Sequence, residues 1–215
     1  MFCREYLCDE EPDCTVVLSQ EDIDAERKLI QDERRNQIFS DAYLETLALY
    51  RKLALPLLDR NTIIFHGSVV VKDGWAYLFT APSGTGKTTH TRLWLDHISD
   101  CEVLNGDKPL LRVVKDSVLA CGTPWQGKEN YGKNMICPLK AICLLARDEE
   151  NHIESISMKE AFSTLIKQTH RPNDSQALLK IVKILDVIGS RVGLYSLGCN
   201  MDPAAATVSY EGMRP

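Results

Sequence analysis

Apolar residues recur at strand spacing in some stretches of this chain and at helix spacing in others, and the two kinds of stretch interleave. The clearest strand pair is residues 67–71 and 75–80, joined by Lys72-Asp73-Gly74, and an Asp-Gly between two such runs predicts a hairpin. Residues 61–65 lead into it. Beyond it, Thr88, Thr91, Leu93, Trp94, Leu95 and Ile98 mark a helix from Lys87 to Asp96 or His97. Further strands are expected over residues 101–104, 110–114, 118–121, 138–146 and 192–197. The run 138–146, apolar apart from Lys140, reads as a central strand. Ser157 and Glu160 form a capping box that opens a helix to Gln168. Pro172 breaks that helix. Another, over 174–188, carries Ala177, Leu178, Ile181, Ile184, Leu185 and Ile188, and a last one covers 203–210.

The start of the chain reads differently. Residues 1–18 predict one or two short strands, with 15–18 the clearest. Ser19 is a plausible cap for a helix over 21–35, whose charge run reads as a solvated face. Tyr43, Leu44, Leu47, Tyr50, Leu53 and Ala54 form one apolar stripe on a second helix, which Pro56 ends or bends. No Gly/Ser linker follows, so residues 1–60 are expected as a strand and helical extension packed on the core formed by 61–215. The whole reads as an α/β protein, a mixed twisted sheet flanked by helices.

Composition narrows the setting. A chain of 215 residues holds one well-buried core. Its net charge of −5 argues against nucleic acid as a partner, which calls for a basic face. No run approaches a membrane span and no basic-then-apolar leader opens the chain, so no membrane and a cytoplasmic location are expected. None of the eight cysteines forms a C-x-x-C pair, and Cys121, Cys137 and Cys143 fall in apolar runs, where thiols act as small hydrophobes. Reduced thiols are expected, with metal binding left open for Cys3, Cys8 and Cys14.

The chemistry concentrates where the hairpin's second arm meets the following helix. Ala81-Pro82-Ser83-Gly84-Thr85-Gly86-Lys87-Thr88-Thr89 has the layout of a P-loop, with Ala81 in place of the usual first glycine. Glycines let backbone N–H groups surround phosphate oxygens, lysine adds a mobile positive charge, and the adjacent hydroxyl suits Mg²⁺. Residues 83–89 are therefore the expected nucleotide-binding set, for ATP with Mg²⁺. Strand, helix, strand is a βαβ unit whose two strands end on the same side, which brings Asp107 beside the loop. There it shares Mg²⁺ with Thr88, or it merely caps the turn before Pro109. His66, with a pKa near neutral, is either a proton acceptor or a structural hydrogen-bonder. Lys128, in the breaker-rich stretch 122–128, is placed to reach a phosphate or an anionic acceptor. His90, Arg92, Arg147 and Arg171 are weaker candidates.

The run Ser83-Gly84-Thr85-Gly86-Lys87-Thr88-Thr89 resembles the kinase-1a loop of ATP-dependent phosphoenolpyruvate carboxykinases and is similar to the loop of HPr kinase/phosphorylases. His66-Gly67 before the hairpin, and the antiparallel arm that enters the loop, agree with that group. The resemblance covers residues 63–128. It implies the HPr kinase/carboxykinase fold, and it makes 61–215 a P-loop, kinase-like domain that transfers phosphate from Mg·ATP to a hydroxyl of a peptide, small protein or small molecule. Members of that group carry adjacent aspartates at this strand end, one for the metal and one the proposed base. Here the chain reads Asn105-Gly106-Asp107, so one carboxylate is missing. That departure keeps a second reading open, a catalytically weak nucleotide-binding switch. Whether the protein is a homo-oligomer is open.

Overall fold

The protein is described by a computed structural model over residues 3–33 and 39–214. Among these residues a single mixed sheet holds β1 (Thr62–Ile64), β2 (Ser68–Lys72), β3 (Trp75–Thr80), β4 (Glu102–Asn105), β5 (Leu110–Val113), β6 (Val118–Cys121), β7 (Ile136–Arg147), β8 (His152–Ser155) and β9 (Gly193–Cys199). The helices are α1 (Gln20–Glu33), α2 (Asp41–Leu58), α3 (Lys87–His97), α4 (Met158–Gln168), α5 (Ser175–Arg191) and α6 (Ala204–Met213). The strand order is β1-β5-β6-β7-β3-β2-β4, with β9 on β7 and β8 on β9.

The long strand β7 is the hub. Its start pairs antiparallel with β6, and its remainder pairs parallel with β3 and β9. The apolar run that makes this possible is buried on both faces, as parallel strands require. At the β2–β3 hairpin Asp73 and Gly74 sit at φ 52° and 77°, the two-residue turn whose twist matches the strands. Strand β2 is antiparallel to β3 on one side and to β4 on the other, so β3 and β4 run parallel with β2 between them.

Period-two alternation divides the core between the two faces. Val69, Val71, Leu78 and Ile142 pack with Leu165 of α4 and with Ile181 and Leu185 of α5. Val70, Tyr77, Phe79 and Cys143 pack with Trp94 of α3 and with Ala206 and Met213 of α6. Leu78 and Ile142 are fully buried, and truncating either to alanine would cost about 2–5 kcal/mol.

Several expectations need correction. Residues 4–6 form a 3₁₀ turn, and residues 7–19 form no strand. Their backbone partners are side chains: Lys52 Nζ donates to the Val17 carbonyl at 3.0 Å and Arg60 Nη2 to the Asp13 carbonyl at 2.5 Å. The segment thus runs along α2 and joins no sheet edge. Ser19 and Asp22 do cap α1 reciprocally, though Arg34 and Arg35 at its expected end lie outside the described residues. The face of α1 is not wholly solvated. Glu26 is buried and paired with Arg51 of α2. Pro56 does not end α2, because one proline in the last full turn forfeits a single backbone bond. The edge strand β8 went unpredicted because its sequence, His152-Ile153-Glu154-Ser155, has one apolar residue.

Between α3 and α6 lies a buried polar cluster. Trp94 Nε1 donates to Ser209 Oγ at 2.8 Å, and His90 Nε2 lies 3.1 Å from the same oxygen. His90 Nδ1 is buried without a hydrogen-bond partner among the described residues. Burial pushes the His90 pKa down to about 4. In the unfolded chain it titrates near about 6.5, so between those values the unfolded state binds more protons. Stability is therefore complete above the unfolded pKa and is lost as pH falls towards the folded one. His90 alone is expected to cost about 3 kcal/mol at about pH 4, and His90→Gln should flatten the acid limb. Urea midpoints measured across this range for both proteins test it, and parallel curves would remove His90 as the cause.

Candidate functional site

The phosphate-loop sequence forms the turn between β3 and α3. Gly84 and Gly86 lie at φ 80° and 128°, a region side chains rarely adopt, and a Cβ at either would meet nothing within 4 Å. Glycine is required here by backbone conformation and not by crowding. Lys87 Nζ donates to the Ala81 carbonyl at 2.8 Å and to the Pro82 carbonyl at 3.4 Å. From the end of β7, Arg147 donates to the Gly84 carbonyl at 2.6 Å and the Thr85 carbonyl at 3.3 Å. These loop carbonyls are thus occupied. The N–H groups of Ser83, Gly84, Gly86, Lys87, Thr88 and Thr89 have no acceptor among the described residues. Unpaired donors at a helix start form a cradle for an anion. Ser83, Thr88 and Thr89 are exposed, and the Thr88 hydroxyl has no partner among the described residues.

Asp107 stands at the same edge of the sheet, held by its own turn. Buried Asn105 accepts from the N–H groups of Asp107 at 3.0 Å and Lys108 at 2.7 Å, and its amide donates to Thr123 Oγ1 at 3.0 Å and the Thr123 carbonyl at 3.1 Å. The Asp107 carbonyl in turn accepts from Gly67 N–H at 2.9 Å, which fastens this turn to His66-Gly67. Asp107 Oδ1 lies 3.4 Å from His66 Nε2, and Oδ2 lies 3.1 Å from Lys108 Nζ.

His66 Nδ1 lies 2.7 Å from Gln168 Oε1, at the end of α4. Because that oxygen accepts, Nδ1 carries the hydrogen and the neutral ring presents the Nε2 lone pair towards Asp107. Two acceptors facing each other in this way attract a proton donor or a cation. Burial is the largest influence on His66 and lowers its pKa; Lys87 acts in the same sense and Asp107 against it. The ring is therefore neutral at neutral pH. Burial likewise lowers the Lys87 pKa, opposed by Asp107 and reinforced by Lys108.

The structure thus brings together residues 83–89, Asp107 and His66. Lys128 is exposed and has no hydrogen bond or ion pair among the described residues, but its neighbours place it. Gly127 approaches Asp107 Cβ, and Glu129 pairs with Arg92 of α3 at 2.6 Å. Arg92 is thus tied to this loop. His90 points into the core, away from the phosphate loop, because it sits on the α6 face of α3. Arg171 is exposed and makes no side-chain hydrogen bond or ion pair among the described residues. Sequence reasoning missed Lys108, Asn105 and Gln168. Lys108 had a signal, being next to Asp107. Gln168 had none, since it is 102 residues from His66.

The missing carboxylate has a steric counterpart. A Cβ on Gly106 would stand 2.8 Å from the Gln126 carbonyl oxygen and 3.2 Å from that of Tyr131. Gly106 N–H also donates to the Tyr131 carbonyl at 2.9 Å. The 126–131 stretch thus fills the space a side chain at 106 would need.

No protein-family model and no curated protein matches the chain. Among solved structures, the HPr(Ser) kinase/phosphatase from Coxiella burnetii is similar, with a TM-score of 0.41 and 9% identity, over 69% of this chain and 94% of that chain. Among the described residues no helix is long and apolar enough to cross a membrane.

Gly106→Asp is expected to displace the 126–131 stretch, since the new Cβ meets backbone and not a flexible side chain. Amide hydrogen exchange at residues 126–132 should quicken by at least about tenfold while β7 stays protected. Unchanged exchange across this stretch would show that the turn accommodates a side chain.

Proposed function

We propose that this protein is an ATP- and Mg²⁺-dependent phosphotransferase of the HPr kinase-like type, moving the γ-phosphoryl group to a hydroxyl on a peptide, small protein or small molecule. One observation carries the reading. A loop of unpaired N–H groups, a half-buried lysine and a facing acceptor pair, His66 Nε2 and Asp107 Oδ1 at 3.4 Å, share one edge of the sheet.

In this reading the unpaired N–H groups of residues 83, 84 and 86–89 hold the nucleotide phosphates, and Lys87 leaves its carbonyl contacts to bind them. Thr88 and Asp107 would hold Mg²⁺, and the residues suit it: a free hydroxyl and a carboxylate, both hard oxygen donors. When bound, the metal would neutralise the charge of the phosphates. His66 and Asp107 grip the acceptor hydroxyl. The oxygen–phosphorus bond forms as the bridging bond to the β-phosphate breaks, and the hydroxyl proton passes to His66 Nε2. Gln168 keeps that nitrogen free of a hydrogen. Lys108, 3.1 Å from Asp107 Oδ2, keeps that carboxyl aimed, and Lys128 approaches from the loop above Asp107 to offset charge on the transferred group. Arg147 keeps the loop carbonyls turned from the phosphates.

The packing of Gly106 supports a second reading, a nucleotide-binding switch with weak catalysis. With no room for another carboxylate, proton acceptance falls to His66 and Asp107 alone. General-base help is worth about 10²–10⁴ in rate, whereas positioning and charge neutralisation supply most of a kinase's acceleration.

Lys87→Ala should weaken ATP binding at least about tenfold, about 1.4 kcal/mol, measured by calorimetry. Unchanged affinity would end the phosphate-loop reading. Asp107→Asn should weaken Mg·ATP binding much more than binding of metal-free ATP, and equal losses would leave Asp107 a turn residue only. Incubation with γ-labelled ATP and cell extract separates kinase from switch. Label on an acceptor that disappears with Lys87→Ala supports the kinase, and nucleotide binding without any transfer supports the switch.

A further inference from the structure

The end of the sheet opposite the phosphate loop carries a second surface. Three recesses of about 420, 280 and 440 Å³ follow one another there and share lining residues. Lys183 borders the first and second, and Asn61 and Val113 border the second and third. They form one groove between α4 and α5 that continues to the β5–β6 turn. Two elements connect it to the site without overlapping it. Strand β5 starts three residues after Asp107 and reaches the groove at Val113, while α4 starts in the groove at Met158 and reaches His66 through Gln168.

Its composition departs from that of the chain. The protein carries 30 acidic and 25 basic residues, yet Lys159, Lys180 and Lys183 line the groove's length. Arg60, Arg112, Lys115 and Arg191 line its far end, where no acidic side chain among the described residues is part of the lining. Asp59 and Asp186 are the acids along it, and Asp59 is already bonded to Lys180 at 2.5 Å. Arg60 follows the last turn of α2 and Arg191 closes that of α5, where cations offset the helix dipole. Arg112 and Lys115 belong to the β5–β6 hairpin, at no helix end, and their side chains make no hydrogen bond or ion pair among the described residues. Between the cations the floor is apolar, with Phe162, Val182, Ile184 and Val187, and Leu179, 56% exposed, extends it one turn along α5.

The chain itself shows what this end accepts. Asp13 closes the acidic run Asp9-Glu10-Glu11-Pro12-Asp13 and gives Arg60 both its backbone carbonyl, at 2.5 Å, and its carboxylate, at 3.5 Å. A carbonyl and a carboxylate together are what an acidic polypeptide presents. We propose that the groove between α4, α5 and the β5–β6 turn docks an acidic polypeptide segment of a partner protein, with carboxylates on the basic end and apolar side chains on the α4–α5 floor. Such a partner is held away from the phosphate site. The surface therefore serves recruitment or control and not the transfer itself, and it does not depend on the kinase reading.

The probe is a fluorescein-labelled peptide of alternating Glu and Leu, titrated with the full chain at low and moderate salt and followed by anisotropy. Saturable binding that weakens with salt is expected. Arg112→Glu with Lys115→Glu should lower affinity at least about tenfold, while a fluorescent ATP analogue binds within about twofold of the unchanged protein. Arg4→Glu with Lys28→Glu, reversing two exposed cations elsewhere, should leave peptide binding unchanged. The proposal is overturned if both double variants lose the peptide equally, or if neither does. It is overturned as well if a single-stranded oligonucleotide or phosphatidylserine vesicles of matched charge bind the groove more tightly than the peptide. Loss of ATP-analogue binding in the unchanged protein would bear on the phosphate loop alone.

Discussion

The candidate site depends on the direction of one strand. Because β2 runs antiparallel to both neighbours, β3 and β4 must finish on the same edge of the sheet, and β2 must begin there. The glycine-rich loop 81–86 follows β3, Asp107 follows β4, and His66 precedes β2. A two-residue turn at Asp73-Gly74 enforces this, since its positive φ angles match the twist of a tight hairpin. Three chain segments with no sequence continuity are thereby brought to one place by backbone pairing, before any side chain at the site makes a contact.

Charge then gives that place its character. Lys87 and Lys108 lie around a single carboxylate, and burial holds His66 neutral. The local balance is positive in a protein whose net charge is −5. Burial, with Lys108 nearby, lowers the pKa of Lys87, and a polyanion beside it would favour its charged form. The unpaired N–H groups of the loop point to the same ligand chemistry by a separate route, hydrogen bonding instead of charge. Agreement of the two is the physical case for a phosphate compound.

The loop over Asp107 shows how tightly this edge is packed. Trp125 donates to the Thr46 carbonyl of α2, Tyr6 donates to the Thr123 carbonyl, and Gly106 leaves room for no side chain beneath residues 126 and 131. The amino-terminal turn and α2 therefore brace the segment that carries Lys128. His170 belongs to the same wall: it meets Tyr50 edge-on at 4.9 Å, and burial, then the nearby Arg51 and Lys108, lower its pKa to about 4.

What the sequence alone determined was whatever rests on local chemistry. The hairpin, the glycine turn at Gly84 and Gly86, the capping box at Ser157 and the apolar stripes of α3 and α5 each follow from residues a few positions apart. The parallel course of β3 and β4 followed from the succession of strand, helix and strand, whose two strands lie parallel in a βαβ unit. Tertiary structure decided the rest, because the deciding contacts join distant residues. Gln168 orients His66 across 102 positions, Arg147 turns the phosphate loop from 63 positions away, and Thr123 secures Asn105. The strand expected at 15–18 failed for the same reason. Its β-branched residues favour an extended backbone, but a strand needs a free sheet edge opposite it, and Lys52 took the Val17 carbonyl instead. His90 carried a helix position that two faces of α3 could have used, and only the docking of α6 through Ser209 turned it inward. Local sequence fixes conformation through short-range sterics and hydrogen bonding. Which side chains meet is set by the packing of elements that the sequence encodes only in sum.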